Sequence, residues 1–161
     1  AEAWTNLIPR KLWYEAVDEA NDLINDDIEV DIQGYDIDGE VIKAARENAR
    51  EAGVEHLIHF QERAVKDLRH PKKYGFIITN PPYGERLEEK SALPALYREF
   101  GESFKKLDSW SAYMITSYEE TERYFGRKAD KNRKIYNGML KTYFYQFLGP
   151  KPPRKKKNPE I

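Results

Sequence analysis

Apolar residues recur along this 161-residue chain at helical spacing in some segments and in short β-like runs in others. The alternation predicts a mostly parallel α/β sheet. From Lys11 to Ile24, the residues Leu12, Ala16, Val17, Ala20 and Ile24 share one helical face. Ile28 to Tyr35 reads as a strand. Asp38 can N-cap a helix with apolar positions at Val41, Ile42, Ala45, Ala49 and Ala52, closed by Gly53 at C′. Leu57 to Gln61 and Gly75 to Thr79 read as strands, and Pro94 to about Leu107 as a helix with proline near its first turn. Trp110 to Ser117 is a further strand and Tyr118 to Phe125 a short helix. Asn137-Gly138, between Ile135-Tyr136 and Tyr143-Phe144-Tyr145, signals a β-hairpin. There is no internal repeat.

The apolar run Phe76-Ile77-Ile78 ends in a stiff corner, Thr79-Asn80-Pro81-Pro82-Tyr83. Consecutive prolines fix φ and hold the residue before each one extended. The Asn80 side-chain oxygen and the Pro81 carbonyl can then both accept hydrogen bonds from an exocyclic NH2. Tyr83 offers a ring face on which a flat base can stack. Such a corner suits an enzyme that holds a planar nitrogen nucleophile beneath a methyl donor. Alone, the same string is also compatible with an ordinary proline turn after a strand.

Composition narrows the class. With 40% hydrophobic residues the chain holds one domain's worth of core. It contains no cysteine, hence no disulfide framework or thiolate metal site, and a cytoplasmic location fits. No run approaches the ~20 apolar residues of a membrane span, and Ala1-Glu2-Ala3-Trp4 is not a signal peptide. His56 and His59 stand three apart beside a strand, with His70 further on, so no metal site is expected. The net charge of −1 conceals an asymmetry: from Arg123 to Ile161 there are twelve basic residues and two acidic ones. Arg127, Lys128, Lys131, Arg133 and Lys134 are candidate RNA-binding residues, because clustered positive charge attracts phosphate. Residues 150–161 read as a basic, disordered tail that solvates itself or adds to that footprint.

A cofactor site can be placed on the same scaffold. The strand Ile32-Gln33-Gly34-Tyr35 ends at Asp36, where a carboxylate can accept both ribose hydroxyls of a nucleoside. Gly34 would let backbone approach the ligand closely. Asp36 and Asp38 compete for the helix cap, and position favours Asp38 as the cap and Asp36 as the ribose ligand.

Asn80-Pro81-Pro82-Tyr83 resembles the catalytic motif of S-adenosylmethionine-dependent amino-methyltransferases. The longer string Thr79 to Leu87, the block Lys134-Ile135-Tyr136-Asn137-Gly138-Met139-Leu140-Lys141 and Tyr145-Gln146-Phe147 narrow the resemblance. Together they are similar to the THUMP-containing methyltransferases that modify guanine N2 in large-subunit ribosomal RNA, and the likeness runs from about Lys11 to Gly149. It implies S-adenosylmethionine as cofactor, large-subunit ribosomal RNA as partner, and Asn80, Pro81, Pro82 and Tyr83 as catalytic residues. Asp36 and Asn80 would bind the cofactor. In that pattern an adenine-binding acid follows the next strand, but its usual place falls at Ala64, and Asp67 is the nearest carboxylate.

The resembled family also carries an earlier strand, a glycine-rich loop and a THUMP domain, none of which matches here. The expected fold is therefore a Rossmann-like methyltransferase sheet, mostly parallel with a terminal antiparallel hairpin, lacking its first, central strand. Residues 1–149 would form a partial catalytic domain within a larger, THUMP-bearing parent, and alone would be inactive or nearly so. The expected function is methylation of an exocyclic amine, guanine N2 first. The alternatives are adenine N6 and a non-catalytic RNA-binding module.

Overall fold

The computed structural model describes residues 3, 4, 6–25, 27–84 and 87–154. Most of the basic tail, and Glu85-Arg86 after the proline corner, therefore lie outside the described residues. The element order is α1 (Arg10–Asp22), β1 (Ile32–Asp36), α2 (Gly39–Glu51), β2 (Ile58–Glu62), β3 (Phe76–Thr79), α3 (Leu87–Lys105), β4 (Ser111–Thr116), α4 (Thr121–Phe125), β5 (Lys131–Asn137) and β6 (Leu140–Phe147). Strands β1 and β2 form a parallel pair. The second sheet has the order β3-β4-β6-β5, with β3 and β4 parallel and β6 antiparallel to both of its neighbours. The mostly parallel sheet with a terminal antiparallel hairpin is thus present, split between β1 and β3. Among the described residues neither of those strands has a ladder partner on its second edge.

Strand β4 shows why α3 packs where it does. Ala112, Met114 and Thr116 alternate onto one face and are fully buried. Helix α3 covers that face with Leu93, Tyr97, Phe100 and Phe104, spaced four, three and four apart. Phe125 of α4 and Phe147 of β6 complete the core, their rings 4.3 Å apart, and Phe100 meets Phe125 edge-on at 5.2 Å. Burying each such side chain contributes roughly 1.5–3 kcal/mol.

Gly101 permits the close crossing of α3 and α4: a Cβ there would stand 2.1 Å from the Phe125 carbonyl oxygen. Glycine to alanine inside an exposed helix normally stabilises by about 1 kcal/mol. At Gly101 the sign should reverse. We expect Gly101→Ala to destabilise by about 1–3 kcal/mol, read as a lower urea midpoint at unchanged slope.

Several expectations are met and several are shifted. Asp38 caps α2, accepting from the Glu40 N–H at 2.8 Å. At the other end Gly53 has φ +74°, and Val54 N–H returns to the Ala49 carbonyl at 2.9 Å, which closes the helix. Helix α3 begins at Leu87, so Pro94 lies inside the helix instead of at its start. The first strand begins at Ile32, because Ile28 to Asp31 have no strand to pair with. In the hairpin Asn137 pairs with Leu140, which leaves Gly138-Met139 as the two-residue loop. Gly138 has φ +61° and Met139 does not share a positive φ, as a II′ turn requires. Helix α1 forms as expected, yet none of its residues is buried.

Candidate active site

One cleft of about 440 Å³ runs between β1 and β3, and the carboxyl ends of both strands stand at one end of it. Asp36, Ala64, Asn80, Pro81, Pro82 and Tyr97 are among its lining residues. The site is assembled from two sheets, and this placement follows from strands that end where their loops must turn back. Asn80 and Asp36, 44 positions apart in the chain, face one volume.

Asp36 is half-buried. Its Oδ1 accepts from the Asp38 N–H at 2.9 Å, and its backbone carbonyl accepts from Arg63 N–H at 2.7 Å. No described side chain donates to its second carboxylate oxygen. That oxygen can take a hydroxyl of a ligand in the cleft. Gly34 does not serve close ligand approach as expected. A Cβ there would lie 2.6 Å from the Phe60 ring on β2, so the glycine makes room for Phe60 within the parallel pair. Asp67 is exposed on the 3-10 turn Val65–Asp67 and is not among the cleft-lining residues, whereas Ala64 is.

The proline corner is held from beneath. Tyr97, 1% exposed, donates its hydroxyl proton to the Pro82 carbonyl at 3.1 Å. Its oxygen lies 2.6 Å from Thr116 Oγ1. A phenol has one proton, and a carbonyl only accepts, so the Thr116 hydroxyl is the donor to Tyr97. Thr116 Oγ1 in turn accepts from the Tyr118 N–H at 3.0 Å. Three bonds thus tie the corner to the end of β4 and to the turn before α4. Burial pushes the Tyr97 hydroxyl up to about 12, against a weaker opposing effect of its hydrogen bonds, so it stays a donor at neutral pH.

Pro82 is engaged in this way, whereas the Asn80 side chain and the Pro81 carbonyl, on two residues that line the cleft, bond no described group. Tyr83 is half-buried and is not among the cleft-lining residues. Gly84, with φ +80°, turns the chain sharply after it.

A methyltransferase family model, described as "RMKL-like, methyltransferase domain", matches residues 1–146. The chain belongs to that family. A Bacillus subtilis (strain 168) protein, YpsC, provisionally named an RNA methyltransferase, is 44% identical over 157 residues, covering 98% of this chain and 40% of its own length. Ribosomal RNA large subunit methyltransferase K/L of Shewanella oneidensis is 39% identical over 136 residues, covering 82% of this chain and 19% of its own. Among solved structures, SMU.472, provisionally named a methyltransferase and complexed with SAH, superposes with TM-score 0.81 at 42% identity. The match covers 91% of this chain and 39% of that one. The chain spans two-fifths or less of the length of these relatives.

In this RMKL-like domain the basic residues singled out from sequence divide into two groups. Arg127 is committed to the fold, donating at 2.8 Å both to Asp130 and to the Leu148 carbonyl. Lys128, Lys131, Arg133 and Lys134 are exposed. Along β5, Lys131 and Arg133 share one face and Lys134 takes the other. The cluster is therefore not one patch. Tyr97 and Thr116 were missed by sequence reasoning. The available signal was a tyrosine within the apolar stripe Leu93-Tyr97-Phe100-Phe104, since a buried phenol needs a partner. Among the described residues no three His, Asp or Glu side chains group as metal ligands, and no helix is long and apolar enough to cross a membrane.

Proposed function

We propose that this domain transfers a methyl group from S-adenosylmethionine to an exocyclic amine of RNA, guanine N2 of large-subunit ribosomal RNA first. The observation that carries the reading is the meeting of Asp36 and the Asn80-Pro81 acceptors in one cleft. The donor set fits the cofactor: Asp36 keeps one carboxylate oxygen for a ribose hydroxyl, at the end of the cleft that Asn80 and Pro81 also line. When bound, S-adenosylmethionine supplies an electrophilic methyl on a sulfonium. The residues of the chain then act by positioning. Asn80 Oδ1 and the Pro81 carbonyl accept the two amine hydrogens, which aims the nitrogen lone pair out of the plane and restricts its motion. A base must leave its stack to reach this corner, and Tyr83 is proposed to receive its ring face. The names of the ribosomal RNA methyltransferase relatives support RNA as the substrate class.

We propose further that residues 1–149 work as part of a larger catalytic domain, together with a THUMP domain, in the cytoplasm. An extended segment between β1 and β3 would pair two strand edges that are otherwise open, as buried backbone groups require.

The test is methyl transfer by the full-length protein to ribosomal RNA, followed by mapping of the modified nucleotide. Transfer to guanine N2 supports the reading, transfer to adenine N6 replaces its substrate atom, and cofactor-independent RNA binding without transfer overturns it. For the cofactor side, we expect Asp36→Ala to weaken S-adenosylmethionine binding by about 1.5–3 kcal/mol, the worth of a hydrogen bond to a charged acceptor. Calorimetric titration of the full-length variant checks this. Unchanged affinity would leave Asp36 with only its bond to Asp38.

A further inference from the structure

Four side chains on one face of the β5–β6 hairpin alternate charge and ring. Lys134 lies opposite Tyr143, and Tyr136 lies opposite Lys141. Residues paired directly across a ladder share a face, as do residues two apart, so these four form a two-by-two tile. Lys134 Nζ sits 5.2 Å from the Tyr136 ring centre and Lys141 Nζ 5.1 Å from that of Tyr143. Tyr136 is 61% exposed and stands outside the hydrophobic core, so its ring is open to solvent. No Asp or Glu occurs from Lys131 to Phe147; Glu119, 3.7 Å from Lys141, is the acidic neighbour from another element.

The topology sets where this tile stands. Tyr143 pairs with Thr116 at the carboxyl end of β4, whose neighbour β3 ends at Thr79, the residue before Asn80. With strands about 4.8 Å apart, β5 lies roughly 14 Å along the same rim from the proline corner. That separation suits nucleotides flanking the one held in the cleft.

We propose that the tile is a stacking platform for single-stranded RNA next to the target nucleotide, with Tyr136 taking a base face and Lys134 and Lys141 its phosphates. This rests on the RNA methyltransferase reading. Rings that stack on any base, set among cations, are the chemistry that binds single strands. A duplex keeps its base faces stacked inside and offers only phosphate.

The experiment is fluorescence anisotropy of a labelled, unstructured single-stranded RNA against the full-length protein at several salt concentrations, with methyl transfer to RNA measured in parallel. Tyr136→Ala should weaken binding on the order of 10-fold or more at an unchanged salt slope. Tyr136→Phe should bind as the wild type does. Lys134→Ala should lower the magnitude of the salt slope by about 0.7. Tyr136→Ala binding single strands as the wild type does, while the wild type methylates RNA, overturns the platform alone. An equal loss for duplex RNA also overturns it, because stacking would not be what was removed. A wild type that neither binds nor methylates RNA overturns the platform together with the function beneath it.

Discussion

Asn80→Ala is expected to lower kcat for methyl transfer by about 10²-fold or more, with S-adenosylmethionine affinity little changed. The side chain is exposed on the corner and bonds no described group, so its removal leaves no buried orphan. The cost to the fold should stay within ~0.5 kcal/mol, as for surface positions generally. In the proposed mechanism what disappears is one of two acceptors for the amine, and the effect belongs to the transition state, where the nitrogen must be aimed. Single-turnover transfer by the full-length protein, beside a cofactor titration, separates the two quantities. Turnover near the wild-type rate would remove Asn80 from the mechanism.

Tyr97 should produce the largest effect on stability. Tyr97→Ala empties a fully buried aromatic site between α3 and β4, and such truncations cost about 3–5 kcal/mol. That is a large share of the roughly 5–15 kcal/mol that holds a domain together. Tyr97→Phe keeps the ring and removes the hydroxyl, leaving Thr116 and the Pro82 carbonyl without it. We expect a loss of about 1–3 kcal/mol. Because the Pro82 carbonyl is released, kcat should fall in this variant while cofactor affinity holds.

The pH dependence of Tyr97 has a definite sign. The unfolded phenol ionises near pH 10 and the folded one near 12. Its contribution is therefore complete below about pH 10 and lost as pH rises toward 12. Burial also raises Tyr118 and Tyr145, so the wild type should weaken across that alkaline window through three phenols. Tyr97→Phe should lose less between about pH 9 and about pH 11 than the wild type does, measured as the shift in thermal midpoint. An equal shift in both proteins would mean that this hydroxyl is not held as described.

Most individual elements were legible because their signals are local. Asp38 could be recognised as a cap because an N-cap is a bond to an N–H two positions on. Gly53 could be recognised as a helix end because a positive φ favours glycine. The hairpin was legible from Asn137-Gly138, though its loop sits one residue later, since turn type follows the register of both strands and not the dipeptide alone. The corner Asn80-Pro81-Pro82 was likewise readable, as its stiffness is covalent.

What only the tertiary structure decided were relations between distant residues. Gly34 serves Phe60 and not a ligand, because the neighbour that fills its missing Cβ comes from the next strand. Pro94 sits inside α3, where core contacts of Leu93, Tyr97 and Phe100 outweigh the lost backbone bond. The basic run from Arg127 to Lys134 divides between an internal ion pair and two faces of an edge strand, since alternation separates residues that are adjacent in sequence. Tyr97 reaches the Pro82 carbonyl across fifteen residues because α3 folds back over β4. Sequence by itself determined where the candidate residues for the chemistry stand along the chain. Packing decided which of them face one another, because hydrogen bonds and van der Waals contacts act over a few ångströms of space and not along the chain.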